Sequence, residues 1–211
     1  MYWHNPAPVR HPLGFIEPCL PTNAHAVPSG PVWAYEIKHD GFRFMCWRTC
    51  DRVRVFSRHG HDWTDRVPLI AEAIAALRVK LMLDGEGVVC RPDGVSDFDL
   101  LRAAVGRKGS RAAFLYAFDL LELDGADLRY EPWETRRATL ASLLRKSGKG
   151  IRLSGHIDGA DGDLVFRHAC IMGLEGIVAK RRDRPYRSGR SPDWIKVKNP
   201  HAPAAMRIME W

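Results

Sequence analysis

The sequence contains no run of about 18 apolar residues, which excludes a membrane-spanning helix of ordinary length. Its first six residues lack the basic region and apolar stretch of a secretory signal. Internal repeats and low-complexity tracts are absent, and 45% hydrophobic with 27% charged residues is not the composition of a disordered chain. We therefore expect a folded, soluble, cytoplasmic protein without a membrane partner.

Cysteine is scarce, and no two cysteines have the CxxC spacing of a zinc or redox site. The five cysteines form an odd-numbered set, which argues against a disulfide framework and predicts reduced, mostly buried thiols. His59 and His61 flank Gly60 but have no second ligand pair at a suitable spacing. The sequence therefore does not support a zinc site.

Acidic residues are outnumbered, since 32 Lys and Arg stand against 25 Asp and Glu, for a formal net charge of +7. Arginine is concentrated between Arg181 and Arg190. This excess suits a polyanion such as nucleic acid or a nucleotide, although many basic proteins bind neither.

Proline separates an N-terminal arm from the rest of the chain. Seven prolines within residues 1–31 are too close together for a helix or a central strand, so we expect an extended arm packed on the domain. Residues 32–200 alternate between strand and helix patterns without a regular βαβ rhythm. They predict one α+β domain of antiparallel sheets flanked by helices, followed by a tail at 201–211.

Periodicity also predicts the individual elements of the domain. Helices are expected at 68–77, 134–145 and 162–172. In the second helix, the residues expected to face the core are Ala138, Ala141 and Leu140 or Leu144. Strands are expected at 33–38, 42–47, 53–57, 81–90, 114–121, 151–157, 176–180 and 194–198.

The segment from Glu36 to Arg43 carries the strongest chemical signal. A period of two places Glu36 and Lys38 on one strand face, and a turn at Gly41 brings Arg43 back beside them. One lysine would then share a pocket with a second cation. A solvated strand edge with ordinary charges would explain the same pattern.

Six motifs, taken in order, resemble those of the covalent nucleotidyltransferase superfamily, most closely ATP-dependent DNA ligases of the bacterial end-joining, ligase D type. They are Lys-x-Asp-Gly-x-Arg at 38–43, Ser-Arg-His-Gly at 57–60, Leu-Asp-Gly-Glu at 83–86, Phe-Asp-Leu-Leu at 118–121, Glu-Gly-Ile-Val-Ala-Lys at 175–180 and Trp-Ile-Lys-Val-Lys at 194–198. The resemblance implies the ATP-grasp-like ligase adenylation fold. It also implies formation of a covalent lysyl-AMP and transfer of AMP to a 5′-phosphate at a DNA nick, for strand joining in DNA repair.

Under this resemblance Lys38 is the nucleophile, which attacks the α-phosphate of ATP while pyrophosphate leaves. A free lysine has a pKa of about 10.4, so its neutral form at pH 7 costs about 4.6 kcal/mol. We expect Arg43, Lys196, Lys198 and a bound metal to supply much of that energy, because nearby positive charge disfavours the ammonium form.

The resemblance also assigns the nucleotide contacts. Glu36 is expected to accept a hydrogen bond from the adenine amino group, and Glu86 and Arg43 to hold the ribose. Phe118 is expected to stack on the purine ring, although without the family pattern it would be ordinary core.

The remaining motif residues concern the phosphates and the metal. Lys196 and Lys198 share a strand face and match the lysines that contact the α-phosphate. Glu175 matches the metal-binding carboxylate, and Glu86 is a second candidate ligand. Mg²⁺ keeps several waters, so one or two carboxylates with phosphate oxygens suffice. The expected cofactors are ATP and Mg²⁺ or Mn²⁺.

Basic side chains are expected to bind nicked or broken duplex DNA. Arg58 matches a position that contacts phosphate or nucleic acid. Arg184, Arg187 and Arg190 can bind backbone phosphates, and Tyr186 could pack against a sugar or base. A solvated loop is the alternative for this segment.

Two features depart from the family pattern. Only 13 residues follow Lys198, too few for the OB-fold barrel with which ordinary DNA ligases continue, so we expect no OB-fold in this chain. A minimal protein that works with an OB-fold or end-joining partner in trans, a fragment and a degenerate relative all remain open. Gly87 replaces a bulkier residue and is expected to loosen its strand.

The sequence leaves alternative functions open. An RNA ligase or a capping guanylyltransferase shares the lysine chemistry, but Glu36 favours ATP and the last motif favours a DNA ligase. A nonenzymatic, ligase-like accessory protein would bind nucleotide or DNA without forming a covalent adduct.

Overall fold

The computed structural model describes residues 12–107, 111–159 and 161–203. Its strands are β1 (Cys19–Asn23), β2 (Trp33–Ile37), β3 (Phe42–Arg48), β4 (Val53–Ser57), β5 (Leu81–Val88), β6 (Phe114–Leu123), β7 (Ala126–Asp127), β8 (Ile151–Leu153), β9 (His156–Asp158), β10 (Gly176–Arg181) and β11 (Gly189–Lys198). Its helices are α1 (Pro68–Ala76), α2 (Phe98–Val105), α3 (Trp133–Leu144) and α4 (Gly162–Ile171), with a 3-10 turn at Thr64–Arg66. The first part of the predicted arm and most of the predicted tail lie outside the described residues.

Two sheets organise the molecule. One has five strands in the order β1-β11-β10-β2-β9, and the other has the order β4-β3-β5-β6-β7 with β8 paired to β6. Most neighbours are antiparallel, as predicted, but β1 with β11 and β6 with β8 are parallel. Parallel neighbours need a long connection, and helix α3 lies in the one between β6 and β8. The α+β class is confirmed, and the wholly antiparallel arrangement is corrected at these two pairs.

Three apolar clusters place the sheets between helices. One packs α4 against the five-stranded sheet, one joins the two sheets, and one packs α1 and α3 on the six-stranded sheet. Strand β2 is therefore covered on both faces, and Ala34, Tyr35 and Glu36 are all buried. Burial therefore does not alternate along the middle of β2, and Ile37 at its end is exposed.

Several sequence predictions of strands and helices are confirmed to within a few residues, including α1, α4, β3, β4 and β6. The prediction of one strand at 151–157 is wrong, because β8 and β9 belong to different sheets. Strand β1 and helix α2 were not predicted. Pro21 is tolerated in β1 because this strand lies at a sheet edge. Asp97 caps α2 by accepting from the amides of Asp99 and Leu100, a signal that the sequence did contain.

Helix α3 buries different residues from those expected. Leu140 and Leu144 are buried as predicted, but Ala138 is exposed. Arg136 is fully buried instead, because its Nε and Nη2 donate to both oxygens of Asp119 at 2.7 and 2.8 Å. Hydrophobic periodicity could not predict a buried arginine whose carboxylate partner comes from another element.

Gly87 does not loosen its strand. Strand β5 continues through it to Val88, and a Cβ atom on Gly87 would lie 2.3 Å from Cε2 of Phe44. Glycine is therefore needed here so that the ring of Phe44 can pack directly on the backbone.

All five cysteines carry free thiols, of which Cys19 and Cys46 are buried and Cys50 is exposed. None of the helices among the described residues is both long and apolar enough to cross a membrane.

Candidate active site

A cavity of about 670 Å³ opens between the two sheets. The five-stranded sheet and its flanking residues contribute Glu36, Lys38, Glu175, Lys180, Arg190, Trp194, Lys196 and Lys198 to its wall, and the six-stranded sheet contributes Arg43, Glu86 and Phe118, with Arg58 just beyond β4. The structure therefore brings together all of the predicted catalytic, nucleotide-binding and metal-binding residues.

One end of the cavity holds a buried ion pair. Nζ of Lys180 donates to Oε1 of Glu36 at 3.0 Å, and these residues are only 2% and 3% exposed. The ammonium lies 4.2 Å from the ring centroid of Phe118 and 4.0 Å from that of Trp194. Burial lowers the pKa of Lys180, while Glu36 opposes this shift. A donor and an acceptor thus lie side by side among aromatic rings.

Arg43 is held by a carboxylate that the sequence analysis did not assign to it. Its Nε and Nη2 donate to the two oxygens of Asp84 at 2.5 and 2.6 Å. Asp84 is fully buried, and the guanidinium lies 4.6 Å from the ring centroid of Phe118. Arg43 therefore reaches the cavity wall as a rigid, charge-compensated group.

Lys38 lies just beyond the end of β2, with its amine in the cavity. Its Nζ is 2.6 Å from Oε1 of Glu175, and its side chain is 22% exposed. Its backbone N–H donates to the carbonyl of Gly176, which fixes the strand end. A carboxylate therefore contacts Lys38 directly, which the sequence did not predict, and Arg43 is paired with Asp84.

Positive charge is concentrated around Lys196. Burial lowers the pKa of Lys196, and the neighbouring charges lower it further. These neighbours are Lys38, Lys198, Arg190 and Arg58. This end of the cavity is therefore suited to a polyanion such as a chain of phosphates.

Two carboxylates face this cationic end. Burial raises the pKa of Glu86 to about 7, although Lys38 and Arg43 act in the opposite direction. The described residues contain no group of three or more metal-ligating side chains of the kind that encloses a metal ion. Glu86 and Glu175 nevertheless fit a hard divalent cation, because such an ion completes its shell with water and phosphate oxygens.

The predicted DNA-binding residues fall into two groups. Arg58 and Arg190 line the cavity. Arg184 lies outside it, 3.7 Å from Asp183 and 3.9 Å from Asp193, and Arg187 is exposed outside it as well. The prediction that Tyr186 packs against a sugar or base is wrong, because Tyr186 is buried and its hydroxyl donates to Asp84.

Three roles were not predicted from the sequence, namely Asp84 as the partner of Arg43, Lys180 as the partner of Glu36, and Trp194 beside Lys180. Trp194 could have been found, since the period of two places it on the same strand face as Lys196 and Lys198. Lys180 lies two residues from Val178 and so shares its strand face, and Val178 also lines the cavity. The partners of Asp84 depend on tertiary contacts that no local pattern reports.

Comparison with known proteins decides the family. The family described as "ATP dependent DNA ligase domain" matches residues 22–198. This chain belongs to that family. The motifs at 38–43 and 194–198 lie within the matched range, so the resemblance stated from the sequence is confirmed.

Curated relatives agree with this membership. The chain is 41% identical over 187 residues to the multifunctional non-homologous end joining protein LigD of Pseudomonas aeruginosa, covering 87% of this chain and 22% of that protein. It is 34% identical over 189 residues to a probable DNA ligase of Mycobacterium sp. (strain KMS), covering 86% of this chain and 36% of the relative. The chain therefore spans only about a fifth to a third of these relatives.

Solved structures give the same fold. The ligase domain of LigD from M. tuberculosis superposes with a TM-score of 0.76 at 32% identity, covering 86% of this chain and 58% of that chain. A mycobacterial DNA ligase D complexed with ATP and MES gives a TM-score of 0.74 at 32% identity, with 86% and 59% coverage. The Chlorella virus DNA ligase-adenylate, at 16% identity and a TM-score of 0.66, supports the fold alone. The predicted ligase adenylation fold is confirmed.

Proposed function

We propose that this chain is the adenylyltransferase domain of an ATP-dependent DNA ligase. Lys38 would form a covalent lysyl-AMP and pass AMP to the 5′-phosphate at a nick in duplex DNA. The observation that carries the proposal is the position of the Lys38 amine among the cations of a cavity that also holds the rings of Phe118 and Trp194.

The aromatic end supports ATP as the nucleotide. Adenine presents an amino donor beside a ring-nitrogen acceptor, which Glu36 and Lys180 complement as acceptor and donor. Guanine reverses this order, with an oxygen acceptor beside an N–H donor. Phe118 and Trp194 supply flat apolar surface at the same place.

The cationic end supports phosphoryl transfer. The Lys38–Glu175 pair must open, and the amine must give up a proton, before nitrogen can attack the α-phosphorus. A nitrogen–phosphorus bond then forms while the bond to pyrophosphate breaks. Lys196 and Lys198, which line the same cavity, would offset negative charge on the phosphoryl oxygens.

A divalent cation fits the same region. Glu175 and Glu86 would hold Mg²⁺ or Mn²⁺ together with phosphate oxygens. When bound, such a cation neutralises charge on the phosphates during transfer. A cation on Glu175 would also compete with Lys38 for that carboxylate.

The nucleic-acid substrate is part of the proposal. Arg58 and Arg190 line the cavity and are both exposed, so they can contact phosphates of a nicked or broken duplex. We propose strand joining in bacterial DNA repair and recombination as the process and the cytoplasm as the location. An OB-fold or end-joining partner acting in trans would complete the sealing reaction.

Intact-protein mass spectrometry after incubation with ATP and Mg²⁺ tests the proposal. We expect the mass to rise by one AMP moiety with ATP and to stay unchanged with GTP. Lys38→Ala should give no adduct, whereas Lys146→Ala, which removes an exposed lysine on the protein surface, should react like the parent. Binding of ATP without any adduct, with Mg²⁺ or Mn²⁺, would favour the nonenzymatic accessory protein instead.

A further inference from the structure

One buried tyrosine connects the two sheets beside the cavity. The hydroxyl of Tyr186 donates to Oδ2 of Asp84 at 2.6 Å and accepts from the backbone N–H of Cys19 at 2.8 Å. Tyr186 itself is only 6% exposed and lies in the segment between β10 and β11. A single phenol thus contacts a strand of each sheet, β1 in one and β5 in the other.

Arg43 closes these contacts into a ring. Its guanidinium donates to both oxygens of Asp84, and its Nη2 also donates to the carbonyl of Cys19 at 3.2 Å. Both backbone groups of Cys19 are therefore bound, one by Tyr186 and one by Arg43. The ring runs through Cys19, Tyr186, Asp84 and Arg43 and back to Cys19.

The strand fastened by this ring is part of the cavity wall. Leu20 and Pro21, which directly follow Cys19, line the cavity opposite the six-stranded sheet. Strand β1 is an edge strand, and its pairing with β11 shifts register between Pro21 and Thr22. The ring therefore adds contacts to the other sheet at Cys19, the residue at which β1 begins.

We infer that Tyr186 is a positioning residue, which locks β1 onto the Arg43–Asp84 pair and so sets the shape of the cavity wall that Leu20, Pro21 and Arg43 form. This inference rests on the proposed function, because it assigns Tyr186 a role in binding ATP. The phenol acts through Arg43 and β1, and no contact between Tyr186 and a substrate is required.

The hydrogen bonds of this four-residue ring require the hydroxyl of Tyr186, which a large apolar residue would lack. Asp84 is fully buried, and Tyr186 supplies one of the three side-chain hydrogen bonds that its carboxylate accepts. Burial and the neighbouring Asp84 raise the pKa of Tyr186 well above its usual value, so the hydroxyl remains a donor. Phenylalanine would fill the same volume but would leave both Asp84 and the Cys19 amide short of a partner.

The test compares Tyr186→Phe with Tyr35→Phe. Tyr35 is a matched control, because it is 1% exposed and its hydroxyl makes one hydrogen bond, to the carbonyl of Pro28, away from the cavity. We expect the ATP concentration for half-maximal adduct formation to rise roughly threefold to tenfold in Tyr186→Phe, with little change in the maximal rate. Tyr35→Phe should leave both quantities unchanged.

A second readout does not depend on catalysis. Cys19 is 1% exposed and burial raises the pKa of its thiol to about 11, so alkylation should be slow in the parent. In Tyr186→Phe, release of β1 should speed alkylation of Cys19 by about tenfold or more relative to the exposed Cys50, which serves as an internal standard. Peptide mapping distinguishes the two thiols.

The two readouts separate the inference from the proposed function. If the parent forms no adduct, the proposed function fails, and the rate of Cys19 alkylation still decides whether Tyr186 anchors β1. Unchanged alkylation of Cys19 together with an unchanged ATP requirement would overturn the inference. If Tyr186→Phe does not fold, amide exchange in the parent decides, since the Cys19 N–H should exchange as slowly as that of Arg43, and fast exchange would contradict the anchoring.

Discussion

The two ends of the cavity solve different physical problems. At the base end, Glu36 and Lys180 are fully buried and neutralise each other between aromatic rings. At the phosphate end, the cations outnumber the carboxylates and are in part exposed to solvent. The cations are Lys38, Arg58, Arg190, Lys196 and Lys198, and the carboxylates are Glu86 and Glu175. The base end is therefore built for selectivity, whereas the phosphate end is built for attraction and charge neutralisation.

The largest effect is expected at the phosphate end. Lys196→Ala should slow adduct formation by about a hundredfold to a thousandfold, because it removes a donor aimed at charge that develops on the phosphoryl group. The preference for ATP over GTP should stay as in the parent. Single-turnover rates with both nucleotides measure this, and a loss of base selectivity without a loss of rate would contradict the division between the two ends.

Glu36→Gln should instead lower the preference for ATP over GTP. It leaves the buried Lys180 without its carboxylate, so unfolding free energy should fall by about 3 kcal/mol, as measured by urea denaturation. The ratio of rates with ATP and GTP should fall about tenfold or more. The double change Glu36→Gln with Lys180→Met removes both charges and should recover much of the stability but none of the selectivity. Recovery of selectivity in the double variant would show that the ion pair does not read the base.

Glu86 gives the phosphate end a pH dependence. Burial raises its folded pKa to about 7, against an ordinary 4.5, so between these values the folded state holds the proton more tightly than the unfolded state. Stability from this group is present below pH 4.5 and is lost as pH rises through 7. Relative to the parent, Glu86→Gln should therefore gain about 1 to 3 kcal/mol of unfolding free energy between pH 5 and pH 8. Parallel urea denaturation of both proteins without nucleotide measures this difference, and identical pH profiles would contradict the assignment.

The smallest effect is expected for Arg58, an exposed residue that lines the cavity. Arg58→Ala should reduce the slope of log affinity for nicked DNA against log salt by about 1, because one phosphate contact is lost. Arg145→Ala is the matched control, because it removes an exposed arginine at the end of α3 that does not line the cavity. Equal slopes for the parent and Arg58→Ala would show that Arg58 does not contact a phosphate of the bound DNA.

The location of the site could be predicted from the sequence, but its pairings could not. The spacing around Lys38 and Lys196 predicted side chains in one pocket, because alternation along a strand fixes which face a residue shares. The Lys38–Glu175 and Arg43–Asp84 contacts depend on how separate strands approach in space. Sequence reasoning therefore predicted cations near Lys38 but missed the carboxylate of Glu175 that contacts it.

The fold could likewise be predicted where the signal is local, but not where it depends on contacts between distant segments. The alternation from Phe42 to Ser57 predicted two strands and their order, because the signal is local and the connection is short. The change of sheet between β8 and β9 depends on which strands pair with each segment. The burial of Arg136 has the same origin, since Asp119 on β6 supplies its partner.

In the proposed reaction the Lys38 amine, and no other, becomes bonded to AMP. Peptide mapping of the parent after incubation with ATP and Mg²⁺ tests this most directly, because Lys38, Lys180, Lys196 and Lys198 all line the same cavity. We expect an AMP phosphoramidate on the peptide that contains Lys38 and on none of the other three lysines. An adduct on Lys180, Lys196 or Lys198, with Lys38 unmodified, would contradict it.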